Sequence, residues 1–301
     1  MSRYEEIEAF VRTVEAGSFT AAAEQLRLAK SAISRRVQDL ERRLGAQLLI
    51  RTTRQLTLTD DGGALFERGK RLLEDWREAE DAIGQRAETL AGAIRLAAPL
   101  SFGVKHLGPA LIAFQEQHPA IRFDVDFSDR RVDLIAEGID LAVRIGVLED
   151  SSLIARKLAP IKMIAAASPA YLKRYGVPAT PSDLKPMGDL RYDNRRADGW
   201  TFTSPEGLRE TVKLEPVMIA SNGDFLADAA IAGAGVTLQP SFILYEALRD
   251  GRLVPLLPDH TLPEVGLYAL YPPTRHLSKR IRALVDHLAE HCGEAPYWDD
   301  W

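Results

Sequence analysis

Positive charge is concentrated between Arg27 and Arg54, although the chain of 301 residues carries a formal net charge of −5. This segment holds eight arginine and lysine side chains but only two carboxylates, which gives it a local charge of +6. A basic segment in an acidic protein indicates a site for a polyanion such as nucleic acid. The alternative is a solvated helix face, which is the usual origin of an isolated run of charges.

The residues in and before this segment predict two short helices joined by a tight turn. Ser18 and Thr20 are good N-cap residues, and the alanine-rich run that follows favours a helix. A second helix is predicted from about Lys30 to Leu44, with Gly45 placed for a left-handed C-cap. Its apolar residues recur at helical spacing and should face a core. They are Ile33, Val37, Leu40 and Leu44. The opposite face is polar and basic, so the pair of helices fits the major groove of DNA.

The sequence after the second helix, LLIRTTRQLTLT, alternates and is rich in threonine, which predicts two β-strands with a turn near Arg54 and Gln55. Arg51 and Arg54 would lie on this wing and meet phosphates, while the second helix would reach bases. Turn, apolar stripe and wing agree with one another, which favours DNA binding over a solvated face. The candidate DNA contacts are Ser18, Thr20, Lys30, Ser31, Ala32, Ser34, Arg35, Gln38, Arg51 and Arg54.

A long helix is predicted next, capped by Thr59 and running to about Leu90. Its apolar residues follow a spacing of three and four, which is typical of a helix that packs along a seam. The seam consists of Leu65, Leu72, Trp76, Ala79, Ile83 and Leu90, with Gly69 and Arg86 as weaker members. The seam could pack on its own domain, but a second copy of the chain is the favoured partner.

From Gly92 onward, predicted strands and helices alternate, which favours an α/β domain with a largely parallel sheet. Residues 100–119 are expected to form a loop and then a helix, and the aromatic tail from Pro296 to Trp301 is expected to be mobile. The single cysteine, Cys292, excludes an intrachain disulfide framework and favours a reducing compartment. No apolar run is long enough to span a bilayer, so no membrane partner is expected.

The N-terminal residues resemble the DNA-binding end of the LysR-type transcriptional regulators. The matching patterns are F-x-x-x-V-x-x-G-S-F-T-A-A-A-x-x-L from Phe10, A-I-S-R-R-V-x-x-L-E-x-x-L-G from Ala32 and L-L-x-R-T-T-R-x-L-x-L-T-x-x-G from Leu48. Ala29 stands where the family usually has Ser or Thr, so a helix cap is expected to be missing there. Lys30-Ser31 replaces the common Gln-Pro, so the preferred bases would differ.

The C-terminal region is similar to the effector domain of the same family. The matching patterns are P-L-S-F-G from Pro99, V-D-L-I-A-E-G-I-D-L-A-V-R-I-G from Val132, S-P-A-Y-L from Ser168 and A-G-A-G-V-x-L-x-P from Ala232. The resemblance implies an α+β winged helix-turn-helix domain (1–59), a linker and dimerisation helix (60–90) and an α/β periplasmic-binding-protein-like effector domain (91–292), followed by a tail (293–301). The effector domain would have two subdomains, about 92–162 with 268–291 and about 163–267, hinged near Lys162 and Leu267.

An effector cleft between the subdomains should lie at the carboxyl ends of the strands. Residues at those ends are the candidate effector contacts, although each could equally be a turn, a cap or a structural ion pair. They are Ser101, Phe102, Arg144, Ile145, Gly146, Asn222, Gly223, Phe225, Gln239 and Pro240. For Arg144 the structural alternative is favoured, because Asp140 and other acids are close in sequence.

The resemblance implies a bacterial cytoplasmic regulator that is not an enzyme, needs no cofactor and is switched by a small organic effector. Expected partners are double-stranded operator or promoter DNA, a second copy in a homodimer through the linker helix, a further pairing into a homotetramer, and RNA polymerase if the protein activates. An α/β enzyme or a solute-binding protein are the rivals, but no nucleophile–base motif supports the first and the basic segment opposes the second. His287 and His291 have a metal-ligand spacing beside Cys292, yet a surface face is the favoured interpretation.

Overall fold

The structure is a computed structural model that describes residues 2–51, 56–83, 90–130, 132–148, 152–193, 199–273 and 277–301, without the side chains of 51, 74–75 and 77–83. The chain divides into two compact units, Met1–Thr89 and Leu90–Trp301.

The first unit is a helical domain with a two-stranded wing. Its elements in chain order are α1 (Arg3–Glu15), α2 (Phe19–Leu26), α3 (Lys30–Leu44), β1 (Leu49–Arg51), β2 (Leu56–Leu58) and α4 (Asp60–Ile83). The antiparallel wing and the bounds of α3 agree with the sequence prediction. Gly45 ends α3 in the left-handed conformation, with φ of 67°. Such a backbone is free of steric cost only for glycine, which fixes the end of the helix.

The core of the first unit is built from one face of each helix. Phe10 of α1 and Ile33 and Val37 of α3 are fully buried, as their helical spacing predicts. Leu44 was expected on the same apolar stripe, but it is 45% exposed, so that expectation is wrong. The reason is its place in the last turn of α3, directly before the cap, where the chain turns away from the core.

The second unit contains two five-stranded sheets and a separate hairpin. Its strands are β3 (Gly92–Ala98), β4 (Ile121–Phe127), β5 (Leu141–Gly146), β6 (Ile154–Ile161), β7 (Met163–Ala167), β8 (Asp189–Tyr192), β9 (Trp200–Thr203), β10 (Arg209–Val212), β11 (Pro216–Ala220), β12 (Val236–Pro240), β13 (Val254–Pro255) and β14 (Val265–Tyr271). The first sheet has the order β4-β3-β5-β14-β6, the second has β11-β8-β12-β7-β13, and β9 pairs with β10.

Helices cover the sheets and connect their strands. They are α5 (Leu100–Phe102), a π-helical turn (Gly103–Leu107), α6 (Gly108–Gln117), α7 (Leu134–Glu137), α8 (Pro169–Tyr175), α9 (Gly223–Ile231), α10 (Ser241–Arg249) and α11 (Lys279–Cys292), with 3-10 turns at Pro181–Leu184 and Tyr297–Asp299. Residues 100–117 are therefore helical throughout, which corrects the expected loop. Phe102 is fully buried and holds this segment against the core of the first sheet.

Both sheets are mixed, which corrects the expectation of a largely parallel sheet. β3 pairs in parallel with β4 and β5, and β8 pairs in parallel with β11 and β12. In contrast, β14 is antiparallel to β5 and β6, and β7 is antiparallel to β12. A parallel neighbour needs a long crossover between strands. No such crossover joins β6 to β7, because only Lys162 separates them. The two strands belong to different sheets, so at Lys162 the chain leaves the first sheet and enters the second.

Two regions of core meet at α10. Phe242 of this helix packs in the core of the first sheet, with residues of α6 and α11. Leu244, two residues later, packs in a core of the second sheet with residues of α9. The chain returns to the first sheet with β14, which begins at Val265. Leu267 already lies within that sheet, where it pairs with Ala159 of β6. The connections between the two sheets thus lie close to α10 and Lys162.

Candidate nucleic-acid interface and effector cavity

The turn between α2 and α3 is held by local hydrogen bonds. Ser18 caps α2 by accepting from the backbone N–H of Ala21 at 3.0 Å, whereas Thr20 lies inside the helix and is exposed. Arg27 ends α2 with φ of 53°, a left-handed conformation that is uncommon for arginine. Ala29 begins α3 without a side-chain hydrogen bond, as the sequence predicted. The turn is therefore closed by backbone geometry more than by capping side chains.

The outer face of α3 presents polar and charged groups. Lys30, Ser31, Arg35 and Gln38 are exposed, while Ala32 and Ser34 are half-buried. Because Ile33 and Val37 fix the opposite face in the core, these groups share one side of a rigid helix. A helix docked on a duplex by this side would bring an arginine, a lysine, a glutamine and a hydroxyl to base edges, which are the side chains used for direct readout.

Several arginines of the basic segment are already paired within the first unit. Arg36 lies 3.3 Å from Glu5 and Arg43 lies 2.8 Å from Glu6, so both join α3 to α1. Arg42 pairs with Asp39 at 2.8 Å on α3 itself.

Lys30 and Arg35 differ from these three. In the described part of the chain, no carboxylate lies within 4 Å of either side chain. The charge count from the sequence treats all eight basic residues alike. The acidic first turn of α1, with Glu5 and Glu6, was the signal that could have distinguished the paired arginines from the unpaired ones.

Glu41 of α3, which the sequence analysis overlooked, fixes the wing. Its carboxylate accepts from the backbone N–H groups of Leu48 and Leu49 at 2.9 and 3.1 Å. Thr59 joins the other end of the wing to α4, since its hydroxyl donates to the carbonyl of Gln47 at 2.7 Å and accepts from the N–H of Gly62. The backbone of Arg51 pairs with Leu56, and Arg54 lies outside the described residues.

The first half of α4 packs on its own domain. Leu65 contacts the core of the first unit, and Gly69 sits against Ile7 and Val11 of α1. Further along, Leu72 and Trp76 are 50% and 52% exposed, although Trp76 keeps a ring contact with Tyr4. The predicted seam is thus divided: its beginning is used within the chain, and its middle offers apolar surface. Of its other members, the side chains of Ala79 and Ile83 and all of Arg86 lie outside the described structure. Leu90 is not helical and packs against the core of the first sheet, so its place on the seam is wrong.

A cavity of about 670 Å³ lies among strands of both sheets in the second unit. Seven of the ten candidate effector residues line it: Ser101, Arg144, Ile145, Gly146, Gly223, Gln239 and Pro240. Three others lie elsewhere. Phe102 is fully buried in the core of the first sheet. Asn222 caps α9 by accepting from the N–H of Phe225 at 2.9 Å, and the ring of Phe225 is half exposed.

Aromatic and apolar side chains that sequence reasoning missed complete the wall. Tyr192, Phe242 and Tyr268 line the cavity beside small residues such as Ala97 and Ala142. Tyr268 lies on β14 and Phe242 on α10, and no chemical motif marks either residue in the sequence. Only the crossing of the chain between sheets brings them to the same space.

Two polar groups stand out in this wall. Arg144 donates to the carbonyl of Val132 at 3.3 Å, and no carboxylate of the described residues lies within ion-pair distance of it. Asp140, the acid expected beside it, instead accepts from the backbone N–H of Arg95 at 2.8 Å. The Nε2 of Gln239 is buried and has no hydrogen-bond partner among the described residues. An unpaired buried donor of this kind carries a desolvation cost that a bound acceptor would relieve.

One ion pair joins the π-helical turn that follows Ser101 to the start of α9. Lys105, in the π-helical turn after β3, lies 2.6 Å from Asp224 in the first turn of α9. Both side chains are partly exposed, so water weakens the attraction. The pair nevertheless marks a place where the two halves of the second unit touch.

The histidines near the C-terminus have structural contacts. His287 hydrogen-bonds the carbonyl of Ala110 at 3.0 Å and packs on Phe114, so it is half-buried and not a free surface residue. Burial raises the pKa of the Cys292 thiol to about 11, which keeps it protonated and unreactive. No group of three metal-ligating side chains occurs among the described residues.

Among the helices that the structure describes, none has the length and apolar character needed to cross a membrane.

Comparison with known proteins matches both units. Residues 4–63 match the family described as bacterial regulatory helix-turn-helix protein, lysR family, and residues 87–293 match the LysR substrate binding domain. The transcriptional regulator PtxR of Pseudomonas aeruginosa is 39% identical over 290 residues, which cover 96% of this chain and 93% of that protein. The regulator CrgA of Neisseria meningitidis is 34% identical and covers 96% of this chain and 97% of its own.

Solved structures show the same likeness. The structure of CrgA, a LysR-type transcriptional regulator, matches with a TM-score of 0.62 at 33% identity and covers 98% of this chain and all of its own. Full-length AphB, the virulence activator of Vibrio cholerae, matches with a TM-score of 0.61 at 30% identity, covering 96% and 99% of the two chains. With two family matches that span nearly the whole sequence, this chain belongs to the LysR family of DNA-binding transcriptional regulators, which are not enzymes.

Proposed function

We propose that the protein reads a specific DNA site with α3 and that a small organic effector in the cavity of the second unit modulates this binding. The observation that carries the DNA part is the division of α3 into a buried face and an exposed face on which Lys30 and Arg35 have no acidic partner in the described structure. Ser31, Ser34 and Gln38 would share the reading of bases. From their sequence positions, Arg51 and Arg54 would hold phosphates.

A matched pair of arginine variants tests this assignment. Arg35→Ala and Arg42→Ala each remove one positive charge from α3, but Arg42 is 75% exposed near the end of the helix and is paired with Asp39. We expect Arg35→Ala to weaken binding to the operator by about tenfold or more, as for loss of a base contact. Arg42→Ala should change affinity far less. Fluorescence anisotropy on duplexes from upstream of the protein's own gene, with non-specific duplex as competitor, measures both. Equal losses in the two variants would contradict the assignment.

The effector part of the proposal rests on the cavity and on the unpaired Nε2 of Gln239. Gln239→Leu keeps the approximate shape of the side chain but removes its amide, and it leaves no polar partner stranded because the described structure gives Nε2 none. A thermal-shift screen of small organic compounds on the unmodified chain identifies binders. We expect those that use the cavity to lose most of their shift with Gln239→Leu. Binders that shift the variant equally would place the effector site elsewhere.

The oligomer belongs to the same proposal. Leu72 and Trp76 leave apolar surface on α4, and two chains paired along this helix would present two copies of α3 to a two-fold-related DNA site. Pairing of such dimers into a tetramer, and contact with RNA polymerase where the protein activates, would extend this arrangement. A regulator of this kind works where the bacterial chromosome lies, in the cytoplasm.

A further inference from the structure

The last residues of the chain fold back into the second unit. The aromatic tail was expected to be mobile, but Trp298 is fully buried in the core of the first sheet, so that expectation is wrong. Its ring stands edge-on to Phe102 at 5.6 Å and to His106 at 5.0 Å between centroids. Burying a tryptophan removes a large apolar area from water, which holds this short segment and its 3-10 turn in place. We call residues 296–299 the C-terminal clasp.

The clasp reaches the helix that joins the two halves of the second unit. Tyr297 lies 6.0 Å from Tyr245 of α10, ring to ring, and Phe102 meets Phe242 of the same helix at 5.2 Å. On α10, Phe242 packs with the first sheet and Leu244 with the second. Any bending of one sheet relative to the other must therefore move α10 against the residues that hold the clasp.

Polar contacts fix the same junction. His106 Nε2 lies 3.1 Å from the carbonyl oxygen of Phe242, and because a carbonyl only accepts, Nε2 carries the proton and donates. His106 Nδ1 is then unprotonated and accepts from the Tyr297 hydroxyl at 2.5 Å. Tyr297, His106 and α10 thus form one chain of hydrogen bonds in which each ring nitrogen has a single role.

The end of the clasp contacts the crossing between the sheets. Asp299 Oδ2 lies 3.2 Å from the ammonium of Lys162, the one residue between β6 and β7. The carbonyl of Lys162 accepts from the backbone N–H of Ser241, at the start of α10, at 2.8 Å. The clasp therefore touches the π-helical turn, α10 and the crossing residue.

We propose that the C-terminal clasp restrains hinge bending between the two sheets and so sets how readily the effector cavity changes shape. Ser101 and Phe242 line the cavity, and Phe102 beside Ser101 packs edge-on to Trp298 of the clasp. A hinge that passes through such a packed junction moves between discrete arrangements, and a contact made in only one arrangement biases the equilibrium. This proposal goes beyond DNA reading, because it assigns a conformational role to a segment outside both the cavity and α3.

Pulsed electron resonance distances on the full-length chain test the proposal without any effector. Spin labels at Glu116→Cys on α6 and Lys173→Cys on α8 report on the two halves, since both sites are exposed. Native Cys292 is buried and reacts slowly with the label. Labelled chains are diluted with unlabelled chains so that distances between copies do not contribute. The variants are Tyr297→Phe and a deletion of residues 296–301, with Trp301→Ala, at a 43% exposed site, as control.

We expect a single narrow distance for the unmodified chain and for Trp301→Ala, and a second distance population for the deletion. Tyr297→Phe should also speed amide exchange in residues 103–107 and 241–249 by about three- to tenfold, as for loss of one partly buried hydrogen bond. A folded deletion variant with the distance distribution of Trp301→Ala would overturn the proposal. If the deletion does not fold, Tyr297→Phe decides, and exchange at the rate of the control in both segments would overturn it.

Discussion

At the scale of single residues, the assignment depends on which charges are free to meet DNA. Arg36 and Arg43 are held by acids of α1, so a count of arginines overstates the charge that α3 can offer a duplex. The sequence predicted the polar face of α3 correctly because helical spacing is a local property. It could not predict the pairing with Glu5 and Glu6, which depends on how α1 packs against α3.

The missing cap at Ala29 leads to a first prediction. Ala29→Ser supplies the hydroxyl that α3 lacks and should raise the free energy of opening this helix by about 1 kcal/mol. Ser18→Ala removes the cap that α2 has and should lower stability by a similar amount. Amide exchange of α2 and α3 in the full-length chain measures both changes. Unaltered exchange of α3 in Ala29→Ser, alongside faster exchange of α2 in Ser18→Ala, would show that α3 needs no cap.

His106 leads to a prediction about pH. Burial lowers the pKa of His106 from 6.5 to about 4, against an opposing effect of its hydrogen bond to Phe242. Lys105 also lowers this pKa, while Asp224 and Glu246 raise it. Between pH 6.5 and about 4, His106 is therefore protonated in the unfolded chain but neutral in the folded chain. Stability of the second unit should therefore fall as the pH drops through this window, by up to about 3 kcal/mol.

Denaturant unfolding between pH 7 and pH 4 measures this dependence. His106→Gln keeps a donor and an acceptor but does not titrate, so its loss of stability over the window should be smaller than that of the unmodified chain. An identical slope in both proteins would mean that other groups cause the acid sensitivity.

At the scale of elements, local signals predicted more than long-range ones. The bounds of α3, the wing and most strands follow from caps, glycines and alternation. Local signals predict neither β6 nor α10, and they favour largely parallel sheets. Strand direction depends instead on long-range topology, since the chain leaves the first sheet for the second at Lys162. The burial of Trp298 was missed for the same reason: its partners Phe102 and His106 lie nearly two hundred residues earlier.

Two adjacent glycines test how α4 docks on the wing. A Cβ at Gly62 would lie 2.1 Å from the backbone carbonyl oxygen of Leu48, whereas one at Gly63 would meet open space. Gly62→Ala should therefore force α4 away from the wing and destabilise the first unit by about 1–3 kcal/mol. Gly63→Ala should instead stabilise it by about 0.5–1 kcal/mol, since alanine is the better helix former. Calorimetry of the full-length chain measures the stability of both variants. A Gly62→Ala variant as stable as the unmodified chain, or a Gly63→Ala variant that is less stable, would contradict the described docking.

At the scale of the whole molecule, the chain joins a helix-turn-helix unit of the lysR family to a LysR substrate binding domain that encloses a cavity. The net acidic charge of the protein and the basic segment around α3 favour approach to DNA through the first unit. Membership of the LysR family fixes the general activity. The cavity wall, formed by Arg144, Gln239 and residues of the crossing region, is where the response specific to this protein would arise.

The central claim is that α3 selects the DNA sites of this protein, and chromosome-wide occupancy in the native host tests it most directly. We predict that the unmodified chain and Arg42→Ala occupy the same discrete sites, which share a two-fold-related sequence, and that Arg35→Ala loses preference for them at equal protein level. Occupancy without a shared sequence, or the same sites for Arg35→Ala as for the unmodified chain, would contradict the claim.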